Sequence, residues 1–274
     1  VLSAAERLDT DLFSADVFSR FREQDPASFA AARARTRAVE FDMSAPGLGI
    51  EPAVRAKLLQ EVDCLIGSAA TVVFDEPLDR AVQVNTLGPL QLLELAQQCA
   101  RPAIYVHVST AYVSGKLSGE FAEEPLPTDH TIRDLMHGGG GRFDPAAEVD
   151  SCLQHCRQIR ARAESEEQTL VFRREILAQR HNRRLTDKRL AKLVEDRRQR
   201  WVERELTREG TRRAEAYGWN DVYTFTKAMG EQILTRRHGD TPLVIVRPSI
   251  VESSLEEPHP GWVYGLKVAD PLIV

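Results

Sequence analysis

Apolar positions along the chain change their period repeatedly, and each change marks an element. Leu8, Leu12, Val17 and Phe21 recur every four or five residues, which predicts one or two helices up to about Gln24, where Pro26 interrupts. Thr36–Asp42 reads as a strand and runs into the loop MSAPGLG. A short helix over Pro52–Leu59 leads into VDCLIGSAA, a buried strand that ends in a turn of small residues. From Asp79 to Gln98 the apolar residues Val82, Leu87, Leu90, Leu93 and Ala96 lie mostly three apart, a long helix kinked or broken at Pro89. AIYVHVS is apolar throughout except for His107, as expected of a parallel strand covered on both faces. A helix from about Val222 to Arg237 precedes a last strand over Leu243–Ser249. Alternating strands and helices predict an α/β fold, a doubly wound parallel sheet of the Rossmann type.

One stretch departs from that alternation. After the four glycines Gly138–Gly141, the chain from Pro145 to about Ala216 has almost no Gly or Pro and reads as a long helical insertion. A hairpin bending near Leu185 and Thr186 is expected, with Thr186 capping its second helix. Leu190, Leu193, Val194, Trp201 and Leu206 form a thin apolar stripe along one side. Three segments result: a first core part over 1–143, the insertion over 144–216 and a second core part over 217–274.

Charge follows the same division. The 274 residues carry 36 basic and 41 acidic side chains, a net charge of −5, yet 18 basic residues face 11 acidic ones between Arg157 and Glu215. An acidic body is thus interrupted by a basic segment, which suits an anionic small molecule or a membrane surface. No nucleic-acid partner is expected. With 42% hydrophobic residues, disorder is a poor reading, and no run of 18 apolar residues suggests a membrane span. The four cysteines do not suggest a disulfide framework, and a cytoplasmic location, with peripheral membrane contact through the insertion, is expected. Cys152, His155 and Cys156 are spaced to share a zinc ion on one helix, but no second ligand cluster accompanies them and a structural role is expected.

The chemistry points to Tyr223 and Lys227. Four residues apart on a helix, they share one face, and an ammonium beside a phenol lowers its pKa toward neutrality. Ser109 and Thr110 close the strand HVST at its carboxyl end, where open parallel sheets bind ligands. A hydroxyl there can hold a carbonyl oxygen while the phenol protonates it. Gly67–Thr71 (GSAAT) ends the preceding strand with small side chains that let a flat ligand approach the backbone. Asn85, on the following helix, is a candidate buried amide that relays protons through water. His107 is expected to be a satisfied core histidine.

The segments SAAT, NTLGP, HVSTAYV, YTFTKAMGE and VRPSIVESSLEEPHPGW resemble the fatty acyl-CoA reductases, the male-sterility-type branch of the extended short-chain dehydrogenase/reductases. The match covers about Val39–Glu120 and Asn220–Val274. The resemblance implies NADPH-dependent reduction of a fatty acyl-CoA thioester to a fatty aldehyde or alcohol with release of CoA. It implies Tyr223 as general acid and Lys227 as its partner, bonding the nicotinamide ribose. Thr110, with Ser109 as second choice, would orient the carbonyl, and Asn85 would be the relay or helix-ordering amide. Asp42 would contact the adenine, Ala69, Ala70 and Thr71 would flank the cofactor, and Pro248 and Ser249 would line the nicotinamide pocket.

Two departures temper the match. No Gly-x-x-Gly-x-x-Gly follows an opening strand, so the chain is expected to be a fragment, truncated at its N-terminus and inactive alone. Thr110 and Tyr223 are 113 positions apart, because the basic insertion lies between them. It is expected either to attract the phosphates of CoA near the site or to be a solvated helical face of paired charges such as Asp196/Arg200, Glu205/Arg208 and Glu209/Arg213. The rival functions are an extended reductase of another carbonyl or carrier-bound thioester, and a non-catalytic scaffold with an NAD-binding fold.

Overall fold

The computed structural model describes residues 2–178 and 186–264, which form two compact units. The first gathers residues 2–42, 49–57 and 248–264. It opens with α1 (Ala4–Arg7), a π turn (Leu8–Phe13), a 3₁₀ turn (Asp16–Phe18) and α2 (Ser19–Gln24). Pro26 begins a helix here: α3 (Pro26–Arg35) starts on it, with Asp25 accepting a bond from the Ser28 N–H. The missing N–H of proline costs nothing in a first turn, so the expected break is a helix start. Phe13, Phe18, Phe21 and Phe29 stack around one another, Phe21 and Phe29 edge to face at 5.5 Å. Thr36–Asp42, expected as a strand, has no regular secondary structure and joins no ladder among the described residues; β-propensity makes a strand only beside a partner.

The second unit gathers Met43–Leu48 and Leu58–Arg247 and holds the sheet. Between the units' segments runs α4 (Pro52–Glu61), after which β1 (Cys64–Gly67) leads to α5 (Leu78–Val82), a π turn (Gln83–Leu87) and α6 (Gly88–Gln97). Pro89 has no N–H for the carbonyl of Asn85, and the helix accommodates it by widening into the π turn rather than by breaking. Strand β2 (Ile104–Val108) then pairs parallel to β1, with Gly67 opposite His107.

The insertion consists of more helices than a hairpin. Beyond α7 (Ile132–His137) come α8 (Pro145–Glu164), α9 (Glu166–Ala178) and α10 (Asp187–Tyr217). Ser165 breaks the first arm with extended dihedrals, and its hydroxyl accepts from the Gln168 N–H at 3.2 Å. Thr186 caps α10 as expected, and the expected bend at Leu185 lies outside the described residues. Val194, Trp201 and Leu206 of the apolar stripe are buried, with Phe172 of α9 edge to face on Trp201. Helix α11 (Val222–Arg237) and β3 (Leu243–Val246) complete the unit, with β3 parallel to β2 in the order β1-β2-β3.

Among the described residues, one face of the sheet is covered and the other is exposed. Tyr105 and His107 are buried beneath it, and a Cβ at Gly67 would lie 2.8 Å from the Tyr105 hydroxyl and 3.0 Å from Leu92 of α6. Ile66, Ile104, Val244 and Val246, on the opposite face, are exposed, against the expectation of a strand covered on both sides. No described helix is long and apolar enough to cross a membrane.

Candidate active site

Three segments meet at the carboxyl end of β2. The strand ends at Val108; Ser109 donates its N–H to the Val246 carbonyl at 2.7 Å, and Thr110 heads a 3₁₀ turn (Ala111–Ser114). That turn is tied to the start of α11. The Trp219 indole N–H donates to the Val113 carbonyl at 2.8 Å, and the Lys116 N–H donates to the Gly218 carbonyl at 3.1 Å. Gly115, at φ 54°, passes so close that a Cβ would lie 2.7 Å from the Gly218 carbonyl oxygen. Asp221 caps α11 through the Thr224 N–H at 2.7 Å and so places Tyr223 in its first turn.

Residues 113 positions apart therefore become neighbours. The Thr110 side chain lies near enough to the Tyr223 phenol to act on its pKa. Both Ser109 and Thr110 are buried, and the Ser109 hydroxyl has no hydrogen-bond partner among the described residues. Tyr223 is half-buried, and burial raises its pKa above that of a free phenol, partly opposed by Thr110, with Asp221 adding to the rise. Lys227 does not lower it. The lysine is fully buried and directs its ammonium to the Val108 carbonyl at 2.6 Å, while burial brings its own pKa down to about 8, with Glu231 opposing. Glu231 is in turn bound by Arg247 at 2.6 Å. Sequence spacing places two side chains on one helical face but does not make them touch.

Asn85 is fully buried and holds a loop. Its Oδ1 accepts from the Thr71 N–H at 3.0 Å, and its amide donates to the Thr71 carbonyl at 3.1 Å and to the Thr226 hydroxyl at 3.2 Å. Both amide hydrogens are thereby used, which fits an ordering role better than a relay. Gly230 allows this proximity, because a Cβ there would lie 2.7 Å from the Asn85 carbonyl oxygen. Ala69 is exposed, and Ala70 and Thr71 are half-buried, on the loop that follows β1. Asp42, Pro248 and Ser249 belong to the first unit; Asp42 and Ser249 are exposed there and Pro248 is half-buried. Sequence reasoning overlooked Trp219, Thr226 and the Glu231–Arg247 pair; a tryptophan just ahead of the Tyr-x-x-x-Lys helix is the one signal that could have drawn attention.

His107 is buried, but it is not satisfied as expected. Its Nδ1 lies 3.5 Å from the Tyr105 hydroxyl and its Nε2 has no hydrogen-bond partner among the described residues. Burial, with the charge of Lys227, lowers its pKa from 6.5 to about 3. The unfolded chain takes up this proton below about pH 6.5 and the folded chain only near pH 3, so the contribution is present above pH 6.5 and lost on acidification. At about 1.4 kcal/mol per pH unit, roughly 3 kcal/mol should go between about pH 6.5 and pH 4. Urea melts of His107→Leu should show an acid limb flattened by that amount; an unchanged limb would mean the imidazole is solvated.

Several of the insertion's arginines form ion pairs within it, while Arg160 reaches Asp79 of α5. Arg208 reaches Glu205 at 3.3 Å, Arg213 reaches Glu209 at 2.7 Å and Arg197 reaches Glu175 at 2.7 Å, whereas Arg200 bonds the carbonyl and not the carboxylate of Asp196. Cys152 and Cys156 are buried, and Cys152 donates to Glu148 at 3.5 Å.

The model of the male sterility protein family, an NAD-binding domain, matches residues 2–274. Fatty acyl-CoA reductase 1 of Arabidopsis thaliana is 30% identical over 99% of this chain and 48% of its own length. The chloroplastic fatty acyl-CoA reductase 2 of the same plant is 29% identical over 99% of this chain and 39% of its own length. The alcohol-forming fatty acyl-CoA reductase of Simmondsia chinensis is 29% identical over 98% and 47%. The chain thus spans half or less of the length of these relatives.

Proposed function

The chain belongs to the male sterility protein family of NAD-binding domains, and from that premise we propose that it carries the reducing site for a fatty acyl-CoA thioester, with NADPH as hydride donor. The observation that carries this reading is the meeting of Thr110, Tyr223 and Lys227 at the carboxyl end of β2. The relatives named as fatty acyl-CoA reductases support the substrate class.

The residues present fit the nicotinamide-ribose half of such a cofactor. Among the described residues the buried Ser109 hydroxyl has no hydrogen-bond partner, and the Lys227 ammonium bonds the Val108 carbonyl with one of its three N–H groups, which leaves donors for a ribose hydroxyl. When bound, the reduced nicotinamide supplies a hydride to the thioester carbonyl carbon. Thr110 donates to the carbonyl oxygen and fixes its direction, and Tyr223 gives that oxygen its proton as negative charge develops. The hemithioacetal so formed on the substrate releases the CoA thiol and leaves the aldehyde; a second reduction of the same kind gives the alcohol. Lys227, fixed on the Val108 carbonyl, turns its remaining N–H groups to the ribose, and Asn85 keeps the β1–α5 loop in place.

The test is NADPH consumption by the intact protein with palmitoyl-CoA, palmitoyl-acyl carrier protein and NADH as comparison arms. Turnover confined to NADPH with the CoA thioester is expected. Preference for the carrier-bound thioester or for NADH would correct the substrate or the cofactor, and no turnover with either thioester would defeat the proposal.

A further inference from the structure

The loop between β1 and α5 is held at both ends and apolar in the middle. Asn85 grips both backbone groups of Thr71, and Thr71 in turn bonds buried Glu76. At the far end the Thr207 hydroxyl of α10 donates to the Asp75 carbonyl at 3.0 Å, so the insertion itself anchors the loop. A Cβ at Gly210, one turn further along α10, would lie 2.8 Å from Val222, the neighbour of Tyr223. Between the anchors stand three consecutive apolar side chains, Val72, Val73 and Phe74, with 67%, 49% and 59% of their surface exposed.

Scattered exposed apolar residues need no explanation, but three in a row on a tethered loop beside a reactive group do. The loop's order comes from polar anchors at Thr71 and Asp75, so these side chains are not required to hold it. Phe74 stands edge-on to the ring of Tyr223, with centroids 5.9 Å apart and planes at 76°. A carbonyl protonated by Tyr223 therefore has a substituent that can pass over Phe74. Asp75, exposed next to it, disfavours the phosphates of CoA, which leaves the hydrocarbon arm for this side.

We infer that Val72, Val73 and Phe74 form the surface over which the acyl chain passes beyond its first few carbons and that they set selectivity for chain length. The inference rests on the reductase reading of the same site, and α10 of the insertion acts in it as a positioning element.

The experiment compares palmitoyl-CoA with butyryl-CoA in the intact protein. Losing the Phe74 ring removes apolar contact with a long chain and little with a short one. In Phe74→Ala the ratio of the two KM values should shift roughly tenfold against palmitoyl-CoA. Phe74→Leu should restore most of the preference, and Val72→Ser, at the most exposed position, should repeat the loss to a smaller extent. Binding is read without turnover by displacement of a pyrene-labelled acyl-CoA, in which Tyr223→Phe should keep the long-chain preference and Phe74→Ala should lose it. An unchanged ratio, or an equal loss for both chain lengths, would overturn the inference. Absence of turnover in every form would count against the reductase reading alone, since the displacement measurement still decides the acyl surface.

Discussion

Replacing Tyr223 by phenylalanine should slow acyl-CoA reduction by the intact protein roughly 10²–10⁴-fold while leaving cofactor binding in place. The substitution deletes one oxygen. The ring keeps its edge contact with Phe74 at 5.9 Å, and the half-buried position leaves no cavity to collapse. What is lost is the proton delivered to the carbonyl oxygen as the hydride arrives, which corresponds to about 3–5 kcal/mol of transition-state stabilisation. Thr110 would remain to bind that oxygen, so the residual rate should exceed that of Tyr223→Phe combined with Thr110→Val. Single-turnover kinetics with a titration of NADPH fluorescence separates the chemical step from binding. A loss smaller than tenfold would show that water or another group supplies the proton.

The second large effect is expected far from the phenol, in the polar cluster between α8 and α10. Arg213 is buried, with its guanidinium on Glu148, on Glu209 at 2.7 Å and on the Ser151 hydroxyl at 3.2 Å. Tyr217 donates to the other oxygen of Glu148 at 2.8 Å, and burial together with that carboxylate pushes its phenol up to about 12. Arg213→Met removes the cation and leaves Glu148 buried without it. Breaking a buried pair in this way costs about 3–5 kcal/mol, far more than the pair contributes relative to apolar residues of similar size. The urea midpoint should fall accordingly at unchanged slope. Adding Glu148→Leu should recover much of the loss, because the uncompensated carboxylate is then gone. If the double variant is no better than the single one, packing and not charge sets the cost. Because Thr207 and Gly210 lie on the same helix, the single variant should also weaken the hold on the β1–α5 loop.

Much of this architecture is legible in the chain. The switch from a three-residue period over Asp79–Gln98 to the continuous apolar run of AIYVHVS is enough to place α5, α6 and β2, because burial dictates which positions must be apolar. Thr186 announces the start of α10 through its side-chain oxygen, a local effect that needs no distant partner. Thr36–Asp42 fails as a strand for the opposite reason: a ladder is a property of two segments, and one segment's composition cannot report on the other. Ser165, like Thr186, acts locally: it ends α8 and starts α9, its hydroxyl accepting from the Gln168 N–H at 3.2 Å.

For the site, the residue types and their order identified Tyr223, Lys227, Thr110 and Asn85 as candidates, since proton transfer and carbonyl binding demand such groups. Their partners could not be read in the same way. That Lys227 turns to the Val108 carbonyl, that Asn85 spends both amide hydrogens on Thr71 and Thr226, and that Phe74 stands against the phenol all depend on contacts across many residues. Periodicity and motif are one-dimensional, so they determine the elements and the chemical inventory. Direction, burial and the pKa values that follow from them arise only when the folded chain removes these groups from water and assigns each its neighbour.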